Sequence, residues 1–285
     1  MIRRWVRWEE RFFVGLMIGA TLLIALTLLS IVGTIVIKGL PAMSLDMVLK
    51  TPRGGFYLGK EGGILNAILG SLFLTGGSTL LALGLSLPVA LYLNLYARKG
   101  SPTAHLVRLA LDLLWGVPSI VYGAFGFTLM IAMGMKASLL AGIITVTLLI
   151  IPIMARAMDE VISMVPTELV EASLSLGATR LETALRVVVR QAFPGLLSAV
   201  LIAAGRGVGD AASVLFTAGF SDAVPSSLLD PVATLPLAIF FQLGTPFPEV
   251  QQRAYASAMI LTILILLLSG SARWISRRWI RHVVK

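Results

Sequence analysis

The sequence contains no cysteine and few charged residues. Among its 285 residues 13% are charged, whereas soluble proteins carry about a quarter. The lack of cysteine excludes a disulfide framework, a thiol nucleophile and a Cys-based metal site, and the two histidines, His105 and His282, lie too far apart to indicate a ligand cluster. The chain is 57% apolar with a mean hydropathy of +0.92. Such a chain cannot hide its apolar residues in one soluble globule, so we predict an integral membrane protein.

The apolar residues are arranged in long runs. A helix needs about 20 mostly apolar residues to span a bilayer. Six runs meet this length, and the first has basic residues before it and no small-residue cleavage site, so we expect it to remain as an anchor. The six predicted spans are 12–38, 64–97, 105–133, 137–158, 192–221 and 252–272. We therefore predict an all-α membrane protein with six transmembrane helices.

The excess of basic residues indicates the orientation. The chain has 23 Lys and Arg against 14 Asp and Glu, a net charge of +9, which in a membrane protein indicates cytoplasmic loops and anionic lipid headgroups and not nucleic acid. With the N-terminus inside, 16 of the 23 basic residues fall on the cytoplasmic side and 6 outside. We predict that both termini are cytoplasmic. In the long outer segment 222–251, the apolar stretch Val232–Leu243 is too short to span and is expected to be interfacial or re-entrant.

Two glycine-rich segments resemble nucleotide loops only superficially. Gly54, Gly59 and Lys60 have the spacing of a P-loop, but Glu61 stands where a Ser or Thr must hold magnesium. The run Gly205–Gly209 lies within a predicted span, where glycine more often allows close helix packing. We therefore expect this chain to bind no cofactor of its own.

Polar side chains recur within the fifth predicted span. At 100° per residue, Arg206, Asp210, Ser213 and Thr217 share an arc of about 60° on one helix face. An Arg near mid-membrane costs about 2.5–3.5 kcal/mol on insertion scales, so it should face a water-filled path or a partner. A guanidinium suits an oxyanion. The alternative is that Arg206 and Asp210 neutralise each other at i,i+4.

A second charged set ends the fourth predicted span. Arg156, Asp159 and Glu160 have i, i+3, i+4 spacing. They are either an anchor on the cytoplasmic side or part of a substrate path.

The polar inner segment 159–191 is predicted to fold into two short helices. Pro166-Thr167-Glu168 is typical of a helix start, and Gly177 can end that helix before a second one from Leu181 to Arg190. The motif Glu171-Ala172-Ser173-x-x-x-Gly177 resembles the EAA loop of ABC importer permeases. The resemblance implies a type I importer permease (MetI-like) fold whose coupling element, about 166–190, docks into a groove of a cytoplasmic ATPase. The family's apolar pattern usually ends in proline, whereas here Arg190 follows the valines and Pro194 comes later.

A second motif indicates which group of ABC importer permeases the chain resembles. The string Trp115–Gly123, with Pro118, Ser119, Tyr122 and Gly123, is similar to the Pro-Ser-Ile-Val-Tyr-Gly signature of phosphate-importer permeases. Taken alone, Pro118 would indicate only a helix kink. Leu215–Ala218 and Leu235–Leu237 resemble PstA-type subunits more than PstC-type subunits. The resemblance implies that the Arg156 and Asp159 positions take part in phosphate passage.

The resemblance also implies a domain organisation and a set of partners. We expect an N-terminal anchor helix and extracytoplasmic loop at 1–63, a permease core at 64–272 and a basic cytoplasmic tail at 273–285. The expected partners are a homologous PstC-type permease, a cytoplasmic ATPase dimer that binds ATP and Mg, and an extracytoplasmic phosphate-binding protein, all in the plasma membrane. The chain would be no enzyme alone.

Other functions stay open at this point. A permease for another oxyanion, such as sulfate or molybdate, would use the same arginine chemistry. An ion-gradient secondary transporter would be expected to carry inverted repeats and a buried carboxylate relay, and the sequence shows neither. A signalling or scaffold protein would have no need of the polar stripe at Arg206.

Overall fold

The computed structural model describes residues 2–53, 61–98 and 100–279, and most of these residues are helical. The segment 54–60, which holds most of the P-loop-like motif, and the last residues of the basic tail, 280–285, lie outside the described residues. The helices are α1 (Ile2–Gly39), α2 (Leu45–Leu49), α3 (Leu65–Leu91), α4 (Pro102–Trp115), α5 (Ser119–Ala132), α6 (Leu139–Ser163), α7 (Thr167–Ser175), α8 (Arg180–Glu182), α9 (Val189–Val208), α10 (Leu235–Leu243) and α11 (Pro248–Trp279). Two-residue strands β1 (Pro52–Arg53) and β2 (Glu61–Gly62) pair antiparallel.

Helix α6 forms the centre of the bundle. It packs against α3, α4, α5 and α9, and 72% of its most apolar window is buried. Two polar side chains on α6 are satisfied within the helix, because the hydroxyls of Thr145 and Thr147 donate to the carbonyls of Ala141 and Ile143 at 2.8 and 2.7 Å. Backbone and hydroxyl groups paired within a helix can be placed in hydrocarbon without leaving unsatisfied donors.

The six predicted spans are confirmed by number, with two corrections of shape. Five helical segments are long and apolar enough to cross a membrane, and α4 with α5 can form a sixth span. The five are Glu9–Ala42, Leu65–Tyr96, Leu139–Ser163, Arg180–Val208 and Pro248–Ser271. A π-helical turn at Tyr92–Tyr96 follows α3, and another at Thr183–Val188 precedes α9.

The third span is broken, so the prediction of one helix over 105–133 is wrong. Helices α4 and α5 meet at an angle of 102°. The break falls at Gly116–Pro118, because proline disfavours helical geometry in the residue before it and lacks an N–H to continue the ladder. The Tyr122 hydroxyl donates to the Leu114 carbonyl at 2.9 Å and so satisfies one backbone acceptor beside the break.

The fifth span is also shorter at its C-terminus than the predicted 192–221. Helix α9 ends at Val208, and the chain continues in turns through residue 218. Glycine is a poor helix former, and three glycines fall within Gly205–Gly209. The Asp210 carboxylate accepts the Ser213 N–H at 2.7 Å, which offers that donor an alternative to a helical carbonyl.

The two ends of the bundle differ in structure. We call the end with α7 and α8 the coupling end, and the end with α10 the loop end. At the loop end, the segment 209–234 folds onto the start of α6. Three successive N–H groups there donate to its carbonyls: Ser138 to Thr217 at 2.9 Å, Leu139 to Asp230 at 2.8 Å and Leu140 to Leu228 at 2.8 Å. These bonds satisfy donors that a helix start leaves free.

The short apolar stretch at the loop end forms α10, which has nine residues and does not span. Thr234 caps it, and its residues Leu235 and Leu237 are fully buried. The prediction that Val232–Leu243 is too short to cross the membrane is confirmed.

Helix α1 stands apart from the core. None of its most apolar window is buried within the chain. Its contact with the body is with α11, where Gly39 lies against the backbone of Tyr255 and Lys38 lies 5.0 Å from the Tyr255 ring centre. The division of the chain at residue 63 stays a prediction.

Candidate functional site

The motif Glu171-Ala172-Ser173 lies on α7, which begins at Thr167 after Pro166. The helix ends in a Schellman motif around Gly177. The Gly177 N–H donates to the Leu174 carbonyl at 3.0 Å, and the Ala178 N–H donates to the Ser173 carbonyl at 3.3 Å. Gly177 has φ +85°, a left-handed conformation that glycine adopts without a steric penalty. The glycine of the motif therefore ends α7, as its position predicts.

The second short helix is joined directly to a span. The Thr179 hydroxyl and the Glu182 side chain form a capping box that starts α8 at Arg180. The chain then passes through the π-helical turn and α9 without interruption to Val208. The predicted helix from Leu181 to Arg190 therefore exists, but it does not end at Arg190.

A polar contact holds the two short helices together, and their outer surface is open. The hydroxyls of Ser173 and Thr183 lie 2.9 Å apart. Glu171, Ala172 and Gly177 are exposed. The apolar side chain of Leu176, at the tip, is 89% exposed. Leu174, Leu181 and Leu185 are exposed as well. Several exposed apolar side chains on one polar segment are typical of a protein-binding surface.

The signature Pro118-Ser119-Ile120-Val121-Tyr122-Gly123 lies at the bend between α4 and α5. Pro118 is exposed, Ser119 is half-buried, and Tyr122 and Gly123 are buried. A Cβ at Gly123 would stand 2.7 Å from the Ala212 carbonyl oxygen and 3.1 Å from that of Ser213. The glycine therefore allows α5 to approach the turns that follow α9.

The four polar residues of the fifth span do not form one helix stripe. Because α9 ends at Val208, only Arg206 is helical, and the other three lie in the turns. Arg206 is exposed and Asp210 half-buried, whereas Ser213 and Thr217 are fully buried. Within the described part of the chain, Arg206 and Asp210 form no ion pair. The structure thus does not contain the neutralising pair that i,i+4 spacing allows.

Arg156 and Asp159 do come together, in a larger cluster at the coupling end. Arg156 Nη1 lies 2.9 Å from Asp159 Oδ2, and its Nε lies 2.8 Å from Asp112 Oδ1. A third contact joins Arg156 Nη2 to Glu160 Oε1 at 3.5 Å. Arg156 is therefore surrounded by three carboxylates.

Asp159 is the buried centre of this cluster, since its side chain is 3% exposed. Arg108 binds it side-on, with Nε 2.8 Å from Oδ2 and Nη2 2.9 Å from Oδ1. The Asn94 amide adds a hydrogen bond of 2.8 Å to Oδ1. Helices α4 and α6 and the π-helical end of α3 thus meet at one carboxylate.

Sequence reasoning missed Asn94, Arg108 and Asp112 as members of the cluster. Arg108 and Asp112 are spaced i,i+4 in an apolar segment, so both fall on one face of α4. That spacing was a usable signal, because charged residues inside an apolar span usually pair with one another. Asn94 gave no comparable signal, because its contact depends on how α3 packs against α6.

The broken span α4–α5, the pair of short helices α7 and α8 (the EAA-type hairpin) and the helical bundle together define a membrane permease subunit of an importer. A family model described as "Binding-protein-dependent transport system inner membrane component" matches residues 86–281. This chain belongs to that family.

Relatives with similar sequences over nearly the whole chain carry one name. The Phosphate transport system permease protein PstA of Haemophilus influenzae is 32% identical over 266 residues, which cover 93% of each chain. The protein of the same name from Pasteurella multocida is 34% identical over 241 residues, or 84% of each chain. That from Yersinia pestis is 32% identical over 269 residues, or 94% of this chain and 90% of its own.

Among solved structures, the fold is similar to a chain of the MetNI methionine ABC transporter in inward-facing conformations. The TM-score is 0.62 at 23% identity, and the match covers 75% of this chain and 95% of that one. The likeness confirms the expected MetI-like fold.

Proposed function

We propose that this chain is the PstA-type permease subunit of an ATP-driven phosphate importer and forms half of its anion path. The observation that supports this most strongly is the similarity over 93% of the chain to a protein named for phosphate transport. The fold, the EAA-type hairpin and the position of Arg206 in an apolar span are consistent with this function. A permease of this kind is a membrane component and not itself an enzyme.

The expected partners follow from the family. A binding-protein-dependent importer permease works with a binding protein outside the membrane and an ATPase inside. We assign the ATPase to the α7–α8 surface around Leu176 and Glu171, and ATP and Mg to that ATPase. The finer proposal is that the ATPase is a dimer, that a PstC-type permease supplies the other half of the path, and that a phosphate-binding protein docks at the loop end.

The proposed anion path includes Arg206 and the polar residues after it. Arg206 is exposed on the isolated chain although it lies in an apolar span. Since an arginine facing lipid is costly, its surroundings in the complex should be water, the partner permease or a passing anion. Asp210, Ser213 and Thr217 follow Arg206 in the same segment. At the coupling end, Arg156 is the second contact for the anion, and Asp159 orients Arg156.

The experiment that tests this function is phosphate uptake by cells that produce the whole complex. The chain is co-expressed with its ATPase, its partner permease and its binding protein in cells lacking other phosphate uptake. We expect ATP-dependent uptake of labelled phosphate that unlabelled phosphate suppresses at far lower concentration than sulfate or molybdate. Stronger competition by sulfate or molybdate would assign the chain to another oxyanion.

The orientation is tested separately. The absence of native cysteine allows single labels, one at exposed Asp222 of the loop end and one at exposed Ser175 of the coupling end. An impermeant thiol reagent should label Asp222→Cys in intact cells and Ser175→Cys only after the cells are opened. The reverse pattern would place the coupling end outside and contradict the proposal.

A further inference from the structure

The cluster around Asp159 contains more positive charge than that carboxylate needs. Arg108 alone occupies both of its oxygens in a side-on pair, and Asn94 donates to one of them. A side-on pair between arginine and a carboxylate is among the strongest charged hydrogen-bond arrangements in proteins. The contact from Arg156 is therefore additional.

Two of the three carboxylates that hold Arg156 are open to water. The side chains of Asp112 and Glu160 are 49% and 60% exposed, in contrast to the 3% of Asp159. Breaking an ion pair with an exposed carboxylate costs little, because water replaces the lost partner. Breaking the only pair of a buried carboxylate costs far more.

We infer that Arg108 is a positioning residue for the anion path. It fixes Asp159 permanently and thereby lets Arg156 leave its carboxylates and turn toward a passing oxyanion. This inference rests on the proposed function, since it takes Arg156 as a contact for the anion. It goes beyond that function because it gives Arg108, on a different helix, the task of keeping Arg156 releasable.

Arg108→Gln should trap Arg156 at Asp159. In that variant Asp159 keeps the Asn94 hydrogen bond, and Arg156 becomes its only positive partner. Arg156 would then be locked to a buried carboxylate and lost to the anion. The protein should still fold, because Asp159 is not left without a counter-charge.

The experiment measures phosphate uptake per assembled complex and uptake per ATP hydrolysed. For Arg108→Gln we expect unchanged membrane levels and ATPase co-purification, with uptake per complex at least about fivefold lower and less phosphate moved per ATP. Arg108→Lys keeps the charge beside Asp159 and should retain about half of the uptake. Arg98→Gln, which removes an exposed charge from the same end of the bundle, is the matched control.

A double-mutant cycle shows whether Arg108 acts through Asp159. Asp159→Asn removes the charge that would trap Arg156, so this variant should retain measurable uptake. In its background, Arg108→Gln should lower uptake less than about twofold.

Three results would overturn the inference. One is a lower membrane level of Arg108→Gln with normal uptake per complex, which would make Arg108 structural. Another is an equal effect of Arg108→Gln with and without Asp159. The third is complete loss of uptake in Asp159→Asn, since Asp159 would then act on the anion itself. If the wild-type complex takes up no phosphate at all, the proposed function fails first.

Discussion

Two arginines of the apolar spans have opposite surroundings. Arg156, at the coupling end, lies within 4 Å of three carboxylates, and its side chain is 22% exposed. Arg206, toward the loop end, is exposed and forms no ion pair within the described residues. The same side chain is thus satisfied inside the chain in one place and depends on something outside the chain in the other.

The difference shows where this subunit is incomplete. The coupling end holds its charges in a network that involves three helices, whereas the loop end leaves a cation in an apolar wall. An arginine that faces lipid without a partner is strongly unfavourable. Under the proposed function, the partner permease, water or the anion completes the surroundings of Arg206, and variants at the two ends should fail in different ways.

The largest effect is expected at Arg206. Arg206→Gln removes the charge but keeps a polar side chain, so uptake should fall by about 10- to 100-fold, the loss of one charged hydrogen bond. The measurement is labelled phosphate uptake at matched membrane levels.

The double variant Arg206→Gln with Asp210→Asn separates the two explanations for this loss. Because the two residues are not paired in the structure, the double variant should stay as inactive as Arg206→Gln alone. Recovery of uptake would mean that the arginine serves only to neutralise Asp210, and the contrast with Arg156 would disappear.

The second-largest effect is expected at Gly123, the signature residue that lies against the turns after α9. Gly123→Ala places a methyl group 2.7 Å from the Ala212 carbonyl oxygen, so α5 or the turns after α9 must move. Such overpacking costs about 1–3 kcal/mol. We expect a lower thermal midpoint of the purified complex and reduced uptake.

Gly205→Ala is the matched control for this variant, because a Cβ there would meet nothing within 4 Å. The control should not lower the thermal midpoint and should raise it slightly, because alanine favours a helix over glycine. An unchanged midpoint in Gly123→Ala would contradict the close contact between α5 and residues 212–213.

A smaller and more local effect is expected at Gly177. Gly177→Ala must adopt φ near +85° in a residue with a Cβ, which costs about 1 kcal/mol. The Schellman turn should loosen, and the affinity for the ATPase should fall about fivefold while membrane insertion is unchanged.

Gly177→Asn controls for the loss of glycine itself, because asparagine tolerates the left-handed conformation better than alanine. It should retain most of the ATPase binding, measured by co-purification. Equal loss in both variants would show that the turn geometry is not what the ATPase requires.

The smallest effect concerns pH at the loop end. The Ser226 hydroxyl, followed by the N–H groups of Ser226 and Ser227, donates to the Asp230 carboxylate and holds its pKa below the ordinary value. A lowered folded-state pKa contributes stability above the unfolded value, near 3.9, which is lost as pH falls through the folded value. The loop should therefore resist proteolysis down to about pH 4 and open below it.

Asp230→Asn tests this pH dependence. The variant should make the opening of the loop independent of pH in that range, as followed by limited proteolysis between pH 7 and pH 3. A wild-type loop that opens well above pH 4 would contradict the role of the Asp230 carboxylate.

Much of the fold could be predicted from composition and spacing. The number of spans and the short α10 follow from the lengths of apolar runs, and the end of α7 follows from Gly177. The shapes of the third and fifth spans could not be read this way, because hydropathy does not register a 102° bend or the end of a helix inside an apolar segment.

The contacts of the candidate site, too, could be predicted only in part. Arg156 and Asp159 share a helix, so their spacing predicted their contact. Arg206 and Asp210 have similar spacing, yet the helix ends between them and the contact is absent. Asn94 and Arg108 reach Asp159 from other helices, and only the packing of α3 and α4 against α6 brings them there.

The uninterrupted helix from Arg180 to Val208 has a mechanical consequence. Its 29 residues correspond to about 43 Å at 1.5 Å per residue, with the capping box at one end and Arg206 near the other. A tilt of only about 5° at its base displaces the far end by about 4 Å. The points at which this helix can bend are the π-helical turn, Pro194 and the glycines Gly195, Gly205 and Gly207, and between them it is continuous. Movement of a protein docked at the coupling end would therefore displace Arg206 through motion of the helix itself, without a chain of intermediate side-chain rearrangements.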